Sequence, residues 1–140
     1  MKFRYTATLV ADTRGKLTKR PLLEVELLNG DDEVVGIAFA LIDSGADTTM
    51  VNIKYASLLG IDLAHAPKRT MAGIAEGSVP TRIATMHFRI KASGDKVEIP
   101  VCYVDSRNVD ILLGQEVFFD MFKIKFEKDH DMFEILRVKK

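Results

Sequence analysis

The chain has 140 residues, 47% hydrophobic and 29% charged, and its 20 basic and 20 acidic residues cancel to a net charge of zero. This composition is globular and excludes a disordered chain, and the length fits one core of ordinary size. With no net charge and no basic run, nothing draws the chain to nucleic acid or a membrane surface, while neutrality permits self-association.

In chain order, the basic opening Met1-Lys2-Phe3-Arg4-Tyr5 leads into a threonine-alternating segment that soon reaches Asp12. It holds too short an apolar stretch for a signal peptide, and no later run is long enough to span a membrane. The expectation is a soluble, cytoplasmic protein. Asp12-Thr13-Arg14-Gly15 reads as a hairpin turn. Leu23, Val25 and Leu27 alternate with Glu24 and Glu26, the pattern of a strand with one wet face. Asn29-Gly30-Asp31-Asp32 supplies turn chemistry. From Val34 to Ile42 both faces are apolar, small at Gly36, Ala38 and Ala40 and large at Val35, Ile37, Phe39 and Leu41, which predicts a buried strand.

A short helix is predicted over Asn52–Leu59, capped by Asn52 and stopped by Gly60. A stretch of small residues follows, from Met71 to Ser78. Ala84, Met86, Phe88 and Ile90 then share a strand face, and a turn over Ala92–Lys96 leads to a strand through Val97, Ile99, Val101 and Tyr103. The single cysteine, Cys102, lies in this apolar segment and reads as a buried free thiol rather than a nucleophile. A second buried run, Val109–Leu113, ends at Gly114. A short helix near Gln115–Met121 and a hairpin around Lys128–Asp131 complete the pattern. No linker, repeat or low-complexity segment interrupts residues 1–140, which read as one all-β domain, a closed sheet with two short helices. The three histidines are scattered, so no metal site is expected.

Asp43 sits where the buried strand ends, in Ile42-Asp43-Ser44-Gly45-Ala46. A carboxylate there is costly unless something uses it, because burying an unpaired charge costs several kcal/mol or forces protonation. Gly45 permits a sharp exit from the strand. An isolated Asp-Ser-Gly triplet is nonetheless a weak signal.

Leu41-Ile42-Asp43-Ser44-Gly45-Ala46-Asp47-Thr48-Thr49 resembles the active-site signature of retroviral-type (retropepsin-like) aspartic proteases. Ile111-Leu112-Leu113-Gly114 resembles that family's second signature, and Met71–Val79 lies where its glycine-rich flap hairpin belongs. The three features cover about Leu22 to Phe126. The resemblance implies a single-lobe closed β-barrel with a flap and two short helices. It also implies an aspartic endopeptidase in which water is activated by two carboxyls, with no metal or other cofactor. The chain carries one such triplet, so the second Asp43 must come from a second copy in a homodimer. Asp43, Ser44 and Gly45 are the implied catalytic group. Ala46, Asp47, Met50, Gly73, Ile74, Ala75, Val79 and Leu113 are the implied contacts to a peptide or protein substrate. Ala46 offers the carboxyl pair no hydroxyl, so an optimum less acidic than a digestive enzyme's is expected. The sequence departs from the viral pattern at Gln115-Glu116, where those enzymes place an arginine paired with the equivalent of Asp47. Two other readings use the same residues: a dimeric peptide-binding scaffold with little turnover, or a small-molecule barrel with a coincidental triplet.

Overall fold

The period-two patterning becomes a barrel closed around one apolar interior. The computed structural model describes residues 1–72 and 78–139. Its first strands are β1 (Lys2–Arg4), β2 (Thr6–Ala11), β3 (Leu17–Arg20), β4 (Leu22–Leu28), β5 (Val34–Ile42) and β6 (Met50–Asn52). Helix α1 (Tyr55–Leu58) precedes β7 (Lys68–Ala72), β8 (Ser78–Ile90), β9 (Lys96–Val104) and β10 (Ile111–Leu113). Helix α2 (Phe118–Met121) leads into the closing strands β11 (Phe122–Glu127) and β12 (Met132–Arg137).

Six strands in the order β4-β5-β10-β6-β9-β8 form the barrel, and β8 closes it by pairing back with β4. Closure leaves the six barrel strands themselves without an open edge. The crossing strand is β10, which lies between β5, to which it is parallel, and β6, to which it is antiparallel. The strand β8 also outruns the barrel and pairs with β7 as a hairpin, in register from Lys68↔Arg82 to Ala72↔Ser78. Residues 73–77 lie outside the described residues.

Leu23, Val25, Leu27, Met86, Phe88, Ile90, Val97, Ile99, Val101 and Tyr103 fill the interior, as their alternation predicts. Phe118 of α2 joins them, its ring 6.3 Å from Phe88 and 5.0 Å from Phe122. Four-residue helices have little intrinsic stability in water, so α2 depends on this aromatic packing. Burial pushes the Cys102 thiol pKa up, and the residue is the buried free cysteine expected.

One expectation needs correction at β5. Only its small face is buried; Ile37 and Phe39 on the large face are 54% and 50% exposed. The register explains this, since Glu26 stands opposite Ile37 and Glu24 opposite Phe39 on the same outward face. Those glutamates pair with Arg89 and Lys91 at 3.0 and 2.9 Å, so the outside of this part of the barrel is charged and wet.

Both helices start later than predicted. Asn52 belongs to β6 rather than to the start of α1: its Oδ1 accepts the Lys54 N–H at 2.9 Å, as a capping side chain would, while its amide nitrogen donates to the carbonyls of Ser106 and Val109, each at 2.9 Å. It clamps the loop that feeds β10. Gly60 does end the helical turn, donating to the Ser57 carbonyl. At α2, the backbone N–H groups of Gln115 and Glu116 are engaged elsewhere, as described below.

The terminal strands form a separate sheet, β1-β12-β11, with Phe3 stacked on Phe133 at 5.1 Å. The strands β2 and β3 form a two-stranded hairpin whose turn is the expected Asp12–Gly15 segment. Among the described residues no helix is long and apolar enough to cross a membrane.

Three carboxyls near the surface make stability depend on pH through their ion pairs. Arg14 holds Asp12, Lys96 holds Asp32, and Lys128 with Lys19 holds Asp131 below the usual carboxylate range. A carboxyl with a depressed folded pKa adds stability that is complete above its unfolded value, about 3.9, and is lost as pH falls through the folded value. Because the partner cations are all exposed, solvent screens these pairs and the effect is small. Thermal unfolding followed by circular dichroism is expected to give a steady midpoint from pH 7 to about 5 and a falling one below about 4.

Candidate active site

The loop after β5 is held from both sides. The Asp43 backbone N–H donates to the Leu113 carbonyl at 3.0 Å, extending the parallel β5–β10 pairing by one residue. The Asp43 carboxylate then accepts the Gly45 N–H at 2.9 Å, and its own carbonyl accepts the Ala46 N–H at 3.2 Å. A Cβ at Gly45 would lie 3.3 Å from that carboxylate oxygen, so glycine makes room for the backbone to approach the acid. The outcome is a carboxyl at the mouth of the barrel, half-buried rather than sunk in the core, oriented by main-chain donors. Among the described residues the exposed Ser44 hydroxyl makes no hydrogen bond within the chain.

Behind the loop, Gly114 sits against the backbone of Ala46 and Thr48. A Cβ there would meet the Thr48 carbonyl oxygen at 2.5 Å and the Ala46 oxygen at 2.8 Å. The Gly114 N–H donates to the Thr49 hydroxyl at 3.1 Å, a contact buried from solvent. The next two N–H groups, of Gln115 and Glu116, donate to the carbonyls of Ala46 and Asp47, both at 2.8 Å. The Gln115 side-chain amide also reaches the Ser44 carbonyl. These bonds support the loop where the viral pattern would have an arginine. After Glu116, Val117 takes φ +66°, outside the right-handed helical region, and α2 therefore begins only at Phe118.

Thr49 was missed as a supporting residue by sequence reasoning, although it closes the first signature. It is wholly buried, its hydroxyl serves Gly114, and its carbonyl accepts the Cys102 N–H at 2.9 Å. Replacing Thr49 with Val keeps the shape but leaves a buried N–H unpaired, and is expected to destabilise the protein by about 1–3 kcal/mol, whereas Thr49→Ser loses less. Urea unfolding of the two variants measures the difference. Asn52 reads in the sequence only as a helix cap, with no local sign of its bonds to the Ser106 and Val109 carbonyls.

The remaining expected contacts distribute unevenly. Asp47 is exposed beside Asp43, and among the described residues it has no cationic partner within the chain. Met50 begins β6, half-buried and in register with Cys102. Val79 lies on β8, paired with Met71, one pair short of the last described pair of the hairpin, Ala72↔Ser78. Gly73, Ile74 and Ala75 lie outside the described residues. Leu113 does not line an open wall in a single copy: in register with the buried Ile42, it is itself wholly buried in the core. Among the described residues no group of three His, Cys, Asp or Glu side chains is placed to hold a metal ion.

Comparison with known proteins agrees with this construction. A family model described as aspartyl protease matches residues 27–117, which include both signatures. Among solved structures, the chain is similar to a retropepsin-like aspartic protease from Rickettsia conorii at 17% identity and a TM-score of 0.63, covering 97% of this chain and 98% of that one. It is also similar to the retroviral protease-like domain of Ddi1 from Leishmania major at 13% identity and a TM-score of 0.57, covering 83% and 87%. Sequence comparison with curated proteins gives no significant match. At these identities the two structures establish the fold, which is retropepsin-like.

Proposed function

This chain belongs to the aspartyl protease family, and from that membership we propose that two copies of it form one peptide-hydrolysing site. Each copy contributes Asp43. One carboxyl, ionised, takes a proton from a water; the other, protonated, donates to the scissile carbonyl as the water's oxygen attacks. The attack gives a tetrahedral intermediate that collapses as the amine leaves with a proton. Two carboxyls close enough to share a proton do not both ionise, and the pair therefore titrates as a unit. Neither cofactor nor covalent adduct enters.

The observation that carries this reading is the half-site itself. A carboxylate stands at the open end of a barrel, oriented by the Gly45 N–H, with no second carboxyl of a matching triplet in the chain. The other residues fall into roles around it. Ser44, whose hydroxyl finds no partner among the described residues, bonds the other copy's loop. Asp47 meets the main chain of an extended peptide, and Met50 and Val79 wall its side-chain pockets. Ala46 lines the floor, Leu113 backs the loop from within the core, and Gly73, Ile74 and Ala75 of the β7–β8 hairpin cover the peptide, partly by strand pairing. Substrates are extended segments of peptides or proteins.

Incubation with a mixed peptide library, read by mass spectrometry, tests the proposal: cleavage between residues of extended peptides supports it. A folded dimer that leaves every peptide intact would point instead to a scaffold that binds without turnover. The rate is expected to peak above about pH 3, because Ala46 gives the carboxyl pair no additional donor to stabilise its ionised form.

A further inference from the structure

The β2–β3 hairpin exposes more apolar side chain than a free hairpin should. Leu9 is 96% exposed, Val10 60% and Leu17 57%, and the hairpin pairs with neither the barrel nor the terminal sheet. Two-stranded hairpins are marginal in water without a face to pack on. The root of this one is close to the catalytic loop: the carbonyl of Pro21, directly after β3, accepts the Ile42 N–H at 3.1 Å, one residue before Asp43. From that root a six-residue strand reaches about 20 Å.

Charge separates the two regions. Over residues 12–20 the hairpin carries Arg14, Lys16, Lys19 and Arg20 against Asp12. Arg14 is paired with Asp12 and Lys19 with Asp131, leaving Lys16 and Arg20 without an ion pair among the described residues. The catalytic rim, 43–50 with 114–119, holds Asp43, Asp47 and Glu116 and no Lys or Arg. In one copy these charges sit on separate segments of the same chain, and the net charge of zero conceals the split.

We infer that the hairpin is a dimerisation arm: in the two-fold assembly that the proposed function requires, each copy seats its hairpin in the other, with Leu9 and Leu17 packed from one face and Arg20, on the opposite face, turned with Lys16 at the turn toward the other's acidic rim. A two-fold axis uses each such contact twice, so modest patches add up. The inference rests on the dimeric reading of the site, and it assigns the surface that holds the dimer.

Sedimentation of the full chain over a concentration series provides the test, with Leu9→Glu/Leu17→Glu compared with Leu9→Lys/Leu17→Lys. Both pairs remove apolar contact, but glutamate also adds negative charge to an arm seated beside the partner's acidic rim, whereas lysine adds positive charge. The glutamate pair is expected to raise the dimer Kd at least tenfold and the lysine pair by less, with the gap narrowing in about 1 M salt. Lys16→Glu alone is the check should the glutamate pair fail to fold. It alters one exposed side chain with no ion pair and is expected to raise Kd about threefold. A wild-type chain that stays monomeric at every concentration overturns the arm. So does a folded glutamate pair with the wild-type Kd, the outcome expected if the hairpin docks some other protein. The two proposals fail separately: a wild-type dimer that cleaves no peptide sinks the catalytic reading alone, and a dimer unaffected by these substitutions sinks the arm alone.

Discussion

Replacing Asp43 with Asn is expected to lower kcat by at least about 10³-fold while leaving the fold and the dimer in place, since the change removes the acid–base chemistry of both carboxyls at once. Asparagine keeps the shape and an oxygen able to accept the Gly45 N–H, so the contact at 2.9 Å survives. What it cannot do is accept a proton from water or lend one to the scissile carbonyl. In a symmetric dimer one gene change alters both halves of the pair. Peptide turnover measured beside sedimentation and thermal unfolding separates lost chemistry from lost structure. Full activity in Asp43→Asn would mean that another group activates the water.

The other large effect is structural. Gly114→Ala drives a methyl group into the Thr48 carbonyl oxygen at 2.5 Å and the Ala46 oxygen at 2.8 Å. Both obstacles are backbone, and both belong to the loop that presents Asp43, so neither can move aside as a side-chain tip could. Overpacking of this kind costs about 3 kcal/mol, equivalent to a Tm lowered by about 10 °C for a domain of this size. Activity should fall further than stability, because relief of the clash must shift the loop or β10 and with them the Leu113–Asp43 bond. A calorimetric scan and a turnover assay on the same preparation check both parts. An unchanged Tm would show that the loop tolerates what the geometry forbids.

These two residues also show why the site was legible in the sequence. Asp43 and Gly114 belong to signatures fixed by backbone contact, where only a few residue types work, and each signature ends an apolar strand. The alternation in β4, β8 and β9 was equally readable, because burial on one face writes a period of two. Where the reading failed, the deciding contact lay far away in sequence. Asn52 has the local character of a cap, but Ser106 and Val109 hold it in a strand. Gln115 and Glu116 read as the start of a helix, but their N–H groups tie them to Ala46 and Asp47 of the distant loop, and Val117 at φ +66° breaks the helical path before Phe118. Ile37 and Phe39 read as core, yet Glu24 and Glu26 across the register place them on a wet face. Thr49 gave no sign that its hydroxyl would serve an N–H sixty-five residues on.

The central claim is that the site is shared, and mixing the wild-type chain with Asp43→Asn tests it most directly. Total protein is held constant, the subunits are allowed to exchange, and turnover is followed against the wild-type fraction. If each site needs Asp43 from both copies, mixed dimers are dead and activity follows the square of that fraction, about a quarter at equal mixing. A site complete within one chain would instead give a straight line, with about half the activity at the same point, and would contradict the shared pair.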